Sequence, residues 1–328
     1  MFPLITLKIG IDDSGIRLDR LLRKSLPLTK LSDIYRLVRT GRVRINGKKT
    51  KQDYRLREHD TLEMDIDRSE LRERNAPATD ALVNLAGTDF FKRNLSIIFE
   101  DDDLMACNKP PNLVVHPGTG HSANDTLIDL VKSYILTKKQ GNKSGEPMLV
   151  HRIDRDTSGI VLIAKNKRML RYLHSHFRDH QIDKKYIAVC HGRPGKKSGV
   201  IEAKLIKTLE RNSGTKVTVD ENGQPSKSHY AVLQSTGRLS TLLVTINTGR
   251  THQIRVHLAH IGCPVVGDVR YGDKDLDKAL FMNKNISHRL YLHAHFISFI
   301  HPLDNKCLTL SAPVPDEFSE LMKSTETM

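Results

Sequence analysis

Nine residues near the middle of the chain combine charged and hydroxyl side chains directly before an apolar run. Residues 151–159 have the sequence HRIDRDTSG, and residues 160–164 are apolar and mostly β-branched. Such a run predicts a buried strand. Ionisable groups beside a core are costly unless they are paired, so we expect a functional site where several of them gather.

Asp154 is the candidate reactive group of this segment, because Arg152 and Arg155 flank it. Guanidinium neighbours favour an ionised carboxylate, which can act as a nucleophile or as a general base. The same residues could instead form ordinary ion pairs on an exposed turn. The segment by itself leaves both interpretations open.

A second segment, residues 248–257 with the sequence TGRTHQIRVH, contains two arginines and two histidines. If Gln253 to His260 is helical, then His252, Arg255 and Ala259 share one side of the helix. The segment could form a basic helix face, or His252, His257 and His260 could bind a metal ion. Their spacings of five and three do not match the i, i+4 pattern of zinc-binding helices, so we predict no metal site.

A third segment, residues 108–118 with the sequence NKPPNLVVHPG, follows a predicted strand. Its adjacent prolines predict a rigid loop. Lys109 and His116 on such a loop could hold a phosphate group, as in many nucleic-acid-binding proteins. The alternative is a turn with no role beyond structure.

The 328-residue chain carries a formal net charge of +14 and is 38% hydrophobic, enough for a sizeable core. The surplus of positive charge indicates a polyanionic partner. No apolar run reaches the length of a transmembrane helix, and the N-terminus lacks the features of a signal peptide. We therefore expect a cytoplasmic protein that binds nucleic acid and no membrane.

The four cysteines are far apart and form no C-x-x-C pair. This spacing argues against a disulfide framework and against a thiolate zinc site. We expect all four to be small buried apolar residues. They are Cys107, Cys190, Cys263 and Cys307.

Most of the positive charge lies between residues 17 and 57, which contain 14 lysines and arginines and only three acidic residues. Apolar positions at i, i+3 and i+4 predict two short helices, around residues 18–22 and 34–38. Asn46 and Gly47 predict a type I′ hairpin. We expect this small module to bind RNA or DNA, because unbalanced basic faces repel each other unless a polyanion neutralises them.

The remaining chain divides into two parts. Residues 67–94 are polar with weak periodicity and are predicted to be a linker between a domain at 14–66 and a domain at 95–328. From residue 95 onward, short apolar runs such as Leu239 to Ile246, a predicted strand, alternate with turns and a few helical patterns. This mixture predicts an α+β domain dominated by a sheet.

The basic module resembles an S4 domain, the RNA-binding module of ribosomal protein S4 and of several RNA-modifying enzymes. The resemblance is carried by residues 17–22, RLDRLL, and by residues 35–48, YRLVRTGRVRINGK. It implies RNA contacts by the basic side chains of the second stretch. These are Arg36, Arg39, Arg42, Arg44 and Lys48.

The three segments described first resemble motifs of the RluA family of pseudouridine synthases. HRIDRDTSG is similar to the family's HRLD-x-x-TSG, TGRTHQIRVH to its TGRTHQ-I/L-R-VH, and NKPPNLVVHPG to its NKP-x-G-x-x-VH loop. Residues 184–186, KKY, resemble its K-x-Y-x-A strand, and residues 312–315, APVP, its C-terminal AP-x-P. Two positions depart from the pattern: Ile153 replaces Leu, and Asn112 replaces a Gly. Asn tolerates the left-handed conformation better than most residues.

The resemblance implies an α+β catalytic domain, built on a central mixed, mostly antiparallel sheet flanked by helices. It implies isomerisation of uridine to pseudouridine without a cofactor, with several uridines of 23S rRNA as the expected targets. Asp154 would attack the ribose or abstract its 2′ proton to form a glycal, and both routes stay open. Arg255 would pair with Asp154, and Tyr186 would stack on the target base and assist deprotonation at C5.

Arg152 would fill the gap left by the flipped uridine. Further RNA contacts are expected from Lys109, His116, Arg250, His252 and Gln253. The enzyme is expected to be a monomer. Alternatives are a family member with a different rRNA or tRNA target and a non-catalytic ribosome-assembly factor, which would leave the catalytic residues without roles. A metal-dependent RNA hydrolase or deaminase would need ligands that the spacing does not provide.

Overall fold

The computed structural model describes residues 4–10, 13–26, 29, 31–66, 78–116, 126–138, 146–210, 214–282 and 286–326. The chain separates into two compact units, residues 1–80 and 81–328. Each has its own buried apolar clusters and is described separately.

The N-terminal unit is a small sheet packed with two helices. Its elements are β1 (Leu4–Lys8), α1 (Leu18–Ser25), α2 (Leu31–Thr40), β2 (Val43–Ile45), β3 (Lys48–Lys49) and β4 (Thr61–Asp65). The strands pair antiparallel in the order β1-β4-β2-β3. Both predicted helices are confirmed, and their apolar faces are buried at Leu18, Leu22 and Ile34.

The predicted hairpin between β2 and β3 is confirmed by its backbone. Asn46 has φ 52° and Gly47 has φ 74°. Positive φ at both central residues is what a type I′ turn requires, and asparagine followed by glycine is the pair that adopts it at least cost. The turn presents the basic strands of this unit on its surface.

The C-terminal unit contains the larger sheet. Its helices are α3 (Ala78–Leu85), α4 (Asp89–Asn94), α5 (Leu127–Lys138), α6 (Lys167–Arg178), α7 (Gln253–His260), α8 (Lys274–Phe281) and α9 (Asp316–Glu326). Its strands are β5 (Ile97–Glu100), β6 (Leu104–Lys109), β7 (Met148–Leu149), β8 (Ser158–Ala164), β9 (Asp183–His191), β10 (Ser198–Glu210), β11 (Gly214–Val219), β12 (Gln224–Ser235), β13 (Leu239–Ile246), β14 (Leu292–Ile300) and β15 (Cys307–Ser311).

These strands form one sheet in the order β11-β10-β12-β13-β9-β14-β8-β6-β5, with β15 beside β14 and β7 beside β8. Among the described pairings, β14 with β8 is parallel and the others are antiparallel. The predicted α+β fold with a mixed, mostly antiparallel sheet is confirmed.

Strand β8 is the apolar run that follows the HRIDRDTSG segment, and all seven of its residues are buried. Val161 and Ile163 pack on the face that carries α5, whereas Ile160 and Leu162 pack with α6 on the opposite face. Because both faces are covered, the strand is apolar throughout instead of alternating.

Gly159 allows β8 to lie close to β14. It has φ 113°, and a Cβ atom at this position would lie 2.2 Å from the carbonyl oxygen of Ala294. Any side chain would therefore push the two strands apart where they pair in parallel. This requirement explains the glycine that ends the HRIDRDTSG segment.

Two predictions about the C-terminal unit are wrong. The second part of the predicted linker forms α3 and α4, because Leu82 and Leu85 bury their side chains beside Met105 and Cys107. Residues 67–77 of that linker lie outside the described residues. The cysteines are buried except one, Cys307, which is exposed at the start of β15.

Within the described ranges, every helix falls short of the length and apolar character needed to cross a membrane.

Candidate active site

Two loops border one cleft of the C-terminal unit. One loop, residues 150–157, connects β7 to β8, and the other, residues 247–252, connects β13 to α7. The cleft is lined by all three predicted catalytic residues and by four predicted RNA-binding residues. They are Asp154, Tyr186, Arg255, Arg152, Arg250, His252 and Gln253.

The order of the strands brings these residues together. The strands β13, β9, β14 and β8 are neighbours in the sheet, although they come from distant parts of the chain. Asp154 precedes β8, Tyr186 lies on β9, and Arg255 lies on α7, which follows β13. The pairing of strands therefore determines the site, and local sequence alone does not.

Asp154 and Arg255 form an ion pair across 101 positions of sequence, with Nη1 of Arg255 3.1 Å from Oδ2 of Asp154. The other side of the guanidinium makes a bidentate pair with Asp268, in which both N–O distances are 2.7 Å. Asp268 also accepts hydrogen bonds from the backbone amides of Arg270 and Tyr271. Asp268 thus holds the guanidinium in one orientation toward Asp154.

Burial differs between the two carboxylates. The Asp268 side chain is fully buried, whereas that of Asp154 is 26% exposed and faces the cleft. Burial by itself would lower the pKa of Arg255, but the hydrogen bonds and charges of Asp268 and Asp154 raise it. Burial would raise the pKa of Asp268, but Arg255 and two backbone amides lower it. The Asp154 carboxylate therefore lies at the solvent-facing end of a buried ionic network.

Tyr186 lines the same cleft from β9. Burial, and then the negative charge of Asp154, raise the pKa of its phenol. The hydroxyl therefore keeps its proton at neutral pH. A protonated phenol ring can stack on a base and donate a hydrogen bond, but it is poorly suited to abstract a proton.

Comparisons with known proteins agree with this geometry. The model of the RNA pseudouridylate synthase family matches residues 103–260, which include the residues that form the Asp154–Arg255 pair. The chain is 36% identical over 318 residues to the ribosomal large subunit pseudouridine synthase C of Buchnera aphidicola, and 96% of each chain is covered. With the namesake from Haemophilus influenzae it is 36% identical over 319 residues, covering 97% of this chain and 94% of the other. The chain belongs to the RNA pseudouridylate synthase family.

Solved structures support the fold of this synthase. Human RNA pseudouridylate synthase domain containing 4 superimposes with a TM-score of 0.55 at 25% identity, covering 76% of this chain and 97% of that one. Human RNA pseudouridylate synthase domain containing 1 gives a TM-score of 0.53 at 23% identity, covering 72% and 96%.

The N-terminal unit of the synthase is an S4 domain, whose family model matches residues 16–62. Its five predicted RNA-binding residues are all exposed: Arg36, Arg39, Arg42, Arg44 and Lys48. Two of the arginines form ion pairs with neighbouring aspartates in solvent. Such exposed pairs contribute little and are readily exchanged for a phosphate.

Lys109 has a different environment from the one predicted. Its side chain is fully buried, and Nζ donates hydrogen bonds to the carbonyls of Pro110, at 2.8 Å, and Arg155, at 2.7 Å. Burial lowers its pKa to about 7, although Asp156 and Asp154 oppose this shift. The predicted RNA contact is therefore wrong for Lys109, which instead ties the NKPP loop to the loop that carries Asp154.

We expect Lys109→Met in the synthase to reduce kcat by about 10- to 100-fold, because it releases the loop and small displacements of a catalytic group are costly. The affinity for RNA should stay within about twofold. Lys165→Met is the matched control, because Lys165 is also buried and also donates to a backbone carbonyl, at the far end of β8. Steady-state kinetics on both variants measure kcat. An equal loss of kcat in the two variants would contradict the proposal that Lys109 holds the NKPP loop to the loop of Asp154.

Gln253 is also buried, which contradicts its predicted contact with RNA. Its Oε1 accepts hydrogen bonds from the Thr248 hydroxyl and the Arg250 amide, and its Nε2 donates to Lys227 and Ser228. The side chain therefore stabilises the loop that carries Arg250, which is exposed. Its hydrogen-bonding capacity is used within the protein.

His252 lies inside the cleft. It has φ 54°, its Nδ1 accepts a hydrogen bond from the Tyr271 hydroxyl at 2.7 Å, and its Nε2 is 3.9 Å from Oδ2 of Asp154. Tyr271 also lies 5.1 Å from the guanidinium carbon of Arg255. These contacts place His252 beside the catalytic pair, where it was predicted only to bind RNA.

His116 is half-buried, and Asn112 of the same loop has φ 65°. The left-handed conformation explains why the related loops have glycine here and why asparagine is tolerated. Pro117 and Gly118, the end of this motif, lie outside the described residues. Arg152 is exposed at the mouth of the cleft.

Sequence reasoning missed several residues that support the site. Asp268 follows the second motif by eleven positions and has no motif of its own. His151 accepts a hydrogen bond from the Leu162 amide, and burial lowers its pKa to about 3, so it stays neutral. Ser158 hydrogen bonds to Arg289 and His293 behind the sheet. The only available signal was that polar residues lie next to apolar runs.

Potential metal ligands are scattered. In the parts of the chain that the structure describes, no three His, Cys, Asp or Glu side chains are arranged to hold an ion. One of the histidines considered as a ligand, His257 on α7, is buried and hydrogen bonded to Ser226 and Ser228. Burial lowers its pKa to about 4.

Proposed function

We propose that this synthase isomerises specific uridines of large-subunit ribosomal RNA, with Asp154 as the catalytic carboxylate. The observation that carries the proposal is the position of Asp154, held by Arg255 at 3.1 Å and open to a cleft that Tyr186 also lines. The relatives named ribosomal large subunit pseudouridine synthase C, which align over nearly the full chain, support the choice of substrate.

The reaction is an isomerisation in which every heavy atom stays in the nucleotide and only protons exchange. The bond between C1′ and N1 breaks, a bond between C1′ and C5 forms, C5 loses its proton and N1 gains one. Asp154 acts on the ribose, either by adding to C1′ or by removing the 2′ proton to give a glycal. Its partly exposed carboxylate is compatible with both routes.

Arg255 orients the carboxylate of Asp154 and offsets its charge, and Tyr186 stacks on the uracil ring. Because the phenol of Tyr186 is protonated at neutral pH, we assign it stacking and hydrogen bonding in preference to deprotonation of C5. Arg152 is exposed at the mouth of the cleft, so it is placed to occupy the gap in the RNA stack after the uridine flips out.

Mapping pseudouridine in ribosomal RNA from cells with and without this gene tests the substrate. We expect a few large-subunit positions to lose pseudouridine and to regain it on expression of the wild-type protein, but not of Asp154→Asn. Loss confined to tRNA or to the small subunit would show a different target. An unchanged map would support a protein that only binds RNA.

The S4 domain is proposed to be the main anchor on RNA. Replacing Arg36, Arg39, Arg42, Arg44 and Lys48 together with glutamine should weaken RNA binding and reduce the slope of log Kd against log salt by roughly 0.7–0.9 for each phosphate that is no longer neutralised. Because the cleft lies in the other unit, kcat at saturating RNA should stay within about twofold. Filter binding over a salt series measures the slope, and a slope equal to that of the wild type would show that RNA is anchored elsewhere.

We further propose that the enzyme is a monomer that acts in the cytoplasm. The cytoplasmic location follows from the expected ribosomal substrate.

A further inference from the structure

Helix α6 carries a basic surface of the C-terminal unit outside the cleft. It contains Lys167 and three arginines but no acidic residue. Met169 and Leu173 on its inner face are buried in the core. The residues exposed on its outer face are Arg168, Arg171, His174 and Arg178. Their spacing of three, three and four places them on one stripe, about 15 Å long at 1.5 Å per residue.

The C-terminal end of α6 adjoins the loop that carries Asp154. The ring of Phe177, in the last turn of the helix, lies 5.0 Å from the ring of His151. Nζ of Lys184, on β9, also lies 5.0 Å from the ring of Phe177. His151 directly precedes the exposed Arg152, so this end of the helix lies at one rim of the cleft.

The turn after α6 adjoins the second loop of the cleft as well. His180 has φ 56°, and its Nδ1 donates a hydrogen bond to the carbonyl of Asn247 at 2.6 Å. Asn247 begins the loop that presents Arg250. The basic stripe therefore starts where the two active-site loops come together and continues away from the cleft along the helix.

The positive charge of the stripe is only weakly balanced within the protein. Arg168 pairs with Asp103 at 3.1 Å and Arg178 with Asp179 at 3.0 Å, but these arginine side chains remain 66% and 74% exposed. For Arg171, the described residues supply no ion-pair partner. Exposed pairs of this kind contribute about 0–1 kcal/mol and do not prevent binding of a phosphate.

We propose that the outer face of α6 binds the sugar-phosphate backbone of the RNA strand that flanks the target uridine. The inference rests on the proposed function, because it takes the occupant of the cleft to be RNA. A stripe of about 15 Å is long enough to contact several successive phosphates of one RNA strand. A backbone held there would leave the cleft at the rim between the two loops, close to the flipped base. The synthase would then bind RNA at two further places besides the cleft, on the S4 domain and on α6.

The test replaces Arg168, Arg171 and Arg178 together with glutamine in the full-length protein. The probe is protein-free large-subunit ribosomal RNA transcribed in vitro. We expect Kd to rise by about tenfold at moderate salt, and the slope of log Kd against log salt to fall by about two. Because none of the three arginines lines the cleft, kcat at saturating RNA should stay within about twofold.

The matched control removes three equal charges at the other end of β9. Arg193, Lys196 and Lys197 are exposed on the turn that follows this strand. They lie about 26 Å along the strand from the end that packs with α6. The triple glutamine variant at these positions should bind RNA as the wild type does.

A normal Kd and salt slope in a folded α6 variant would overturn the proposal, and so would an equal loss of affinity in the control variant. The single change Arg171→Gln guards against misfolding, because it breaks no ion pair within the described residues; it should raise Kd by about threefold. Binding is measured without turnover. A wild type that binds RNA but forms no pseudouridine would therefore contradict the proposed function and leave the result for α6 intact.

Discussion

Asp154→Asn is expected to bind RNA with the affinity of the wild type and to form no detectable pseudouridine. The amide keeps the size of the carboxylate and can still accept a hydrogen bond from Arg255, which lies 3.1 Å away. It loses the negative charge that makes the carboxylate nucleophilic and basic enough to act on the ribose. Loss of a group that acts directly on the reacting atoms costs about 10³- to 10⁴-fold or more in rate.

Two measurements on this variant separate chemistry from binding. Release of tritium from C5 of labelled uridine reports product formation, and filter binding reports affinity. The control is Asp156→Asn, because Asp156 lies two positions away and its carboxylate pairs with the exposed Arg155. We expect Asp156→Asn to retain most activity. Product formation by Asp154→Asn at more than about one hundredth of the wild-type rate would refute the role of Asp154.

Asp268→Asn is expected to be the most damaging substitution outside the residues that touch substrate. Asp268 is fully buried and holds Nε and Nη2 of Arg255, each at 2.7 Å. Removing one charge of a buried pair leaves the other uncompensated, at a cost of about 3–5 kcal/mol in many proteins. We expect kcat to fall by roughly 100-fold, because Arg255 then no longer has a fixed orientation toward Asp154.

Acid titration gives a second readout for Asp268. Its folded-state pKa lies below the ordinary value because Arg255 and two amides outweigh the effect of burial. A carboxylate with a lowered pKa stabilises the fold above its unfolded pKa of about 4, and this contribution is lost as pH falls through the folded value. The unfolding free energies of wild type and Asp268→Asn should therefore differ at pH 7, begin to approach each other near pH 4, and converge only as pH falls further, through the lowered folded-state pKa of Asp268.

Asp129→Asn is a suitable stability control for Asp268→Asn. Asp129 is a buried carboxylate on α5 that accepts a hydrogen bond from Thr126 at 2.6 Å, and it does not line the cleft. It should lower stability with kcat nearly unchanged. If both variants lose kcat in proportion to their loss of stability, Asp268 is a structural residue and not a positioning residue.

The elements of secondary structure were predictable where local pattern and burial agree. The strand of Leu239–Ile246 has the predicted bounds, and the segment Gln253–His260, considered as a helix, forms one. The hairpin at Asn46 and Gly47 followed from turn chemistry alone. Helix α3 was missed because a short helix that gains its stability from packing has weak periodicity.

The candidate site was predictable in its types of residue but not in their roles. Lys109 and Gln253 were expected to touch RNA because they lie in polar motifs, yet both are buried. A polar side chain in a loop motif can bind the substrate or stabilise the loop, and the sequence does not distinguish these two roles. The folded structure decides between these two roles. A buried polar side chain must form hydrogen bonds, and at these positions backbone carbonyls and amides are among the partners.

The sequence by itself determined the α+β class, the basic RNA-binding module and the segments that supply Asp154, Tyr186 and Arg255. The class and the basic module follow from residue types and short-range periodicity, which local physics controls, whereas Tyr186 and the roles of Asp154 and Arg255 were implied by the resemblance to the RluA family. Only the tertiary structure decided that Asp268 orients Arg255, that Lys109 ties the loop of Asp154, and that α6 ends between the two active-site loops. Each of these depends on contacts between residues far apart in sequence, which exist only after strands β13, β9, β14 and β8 have paired.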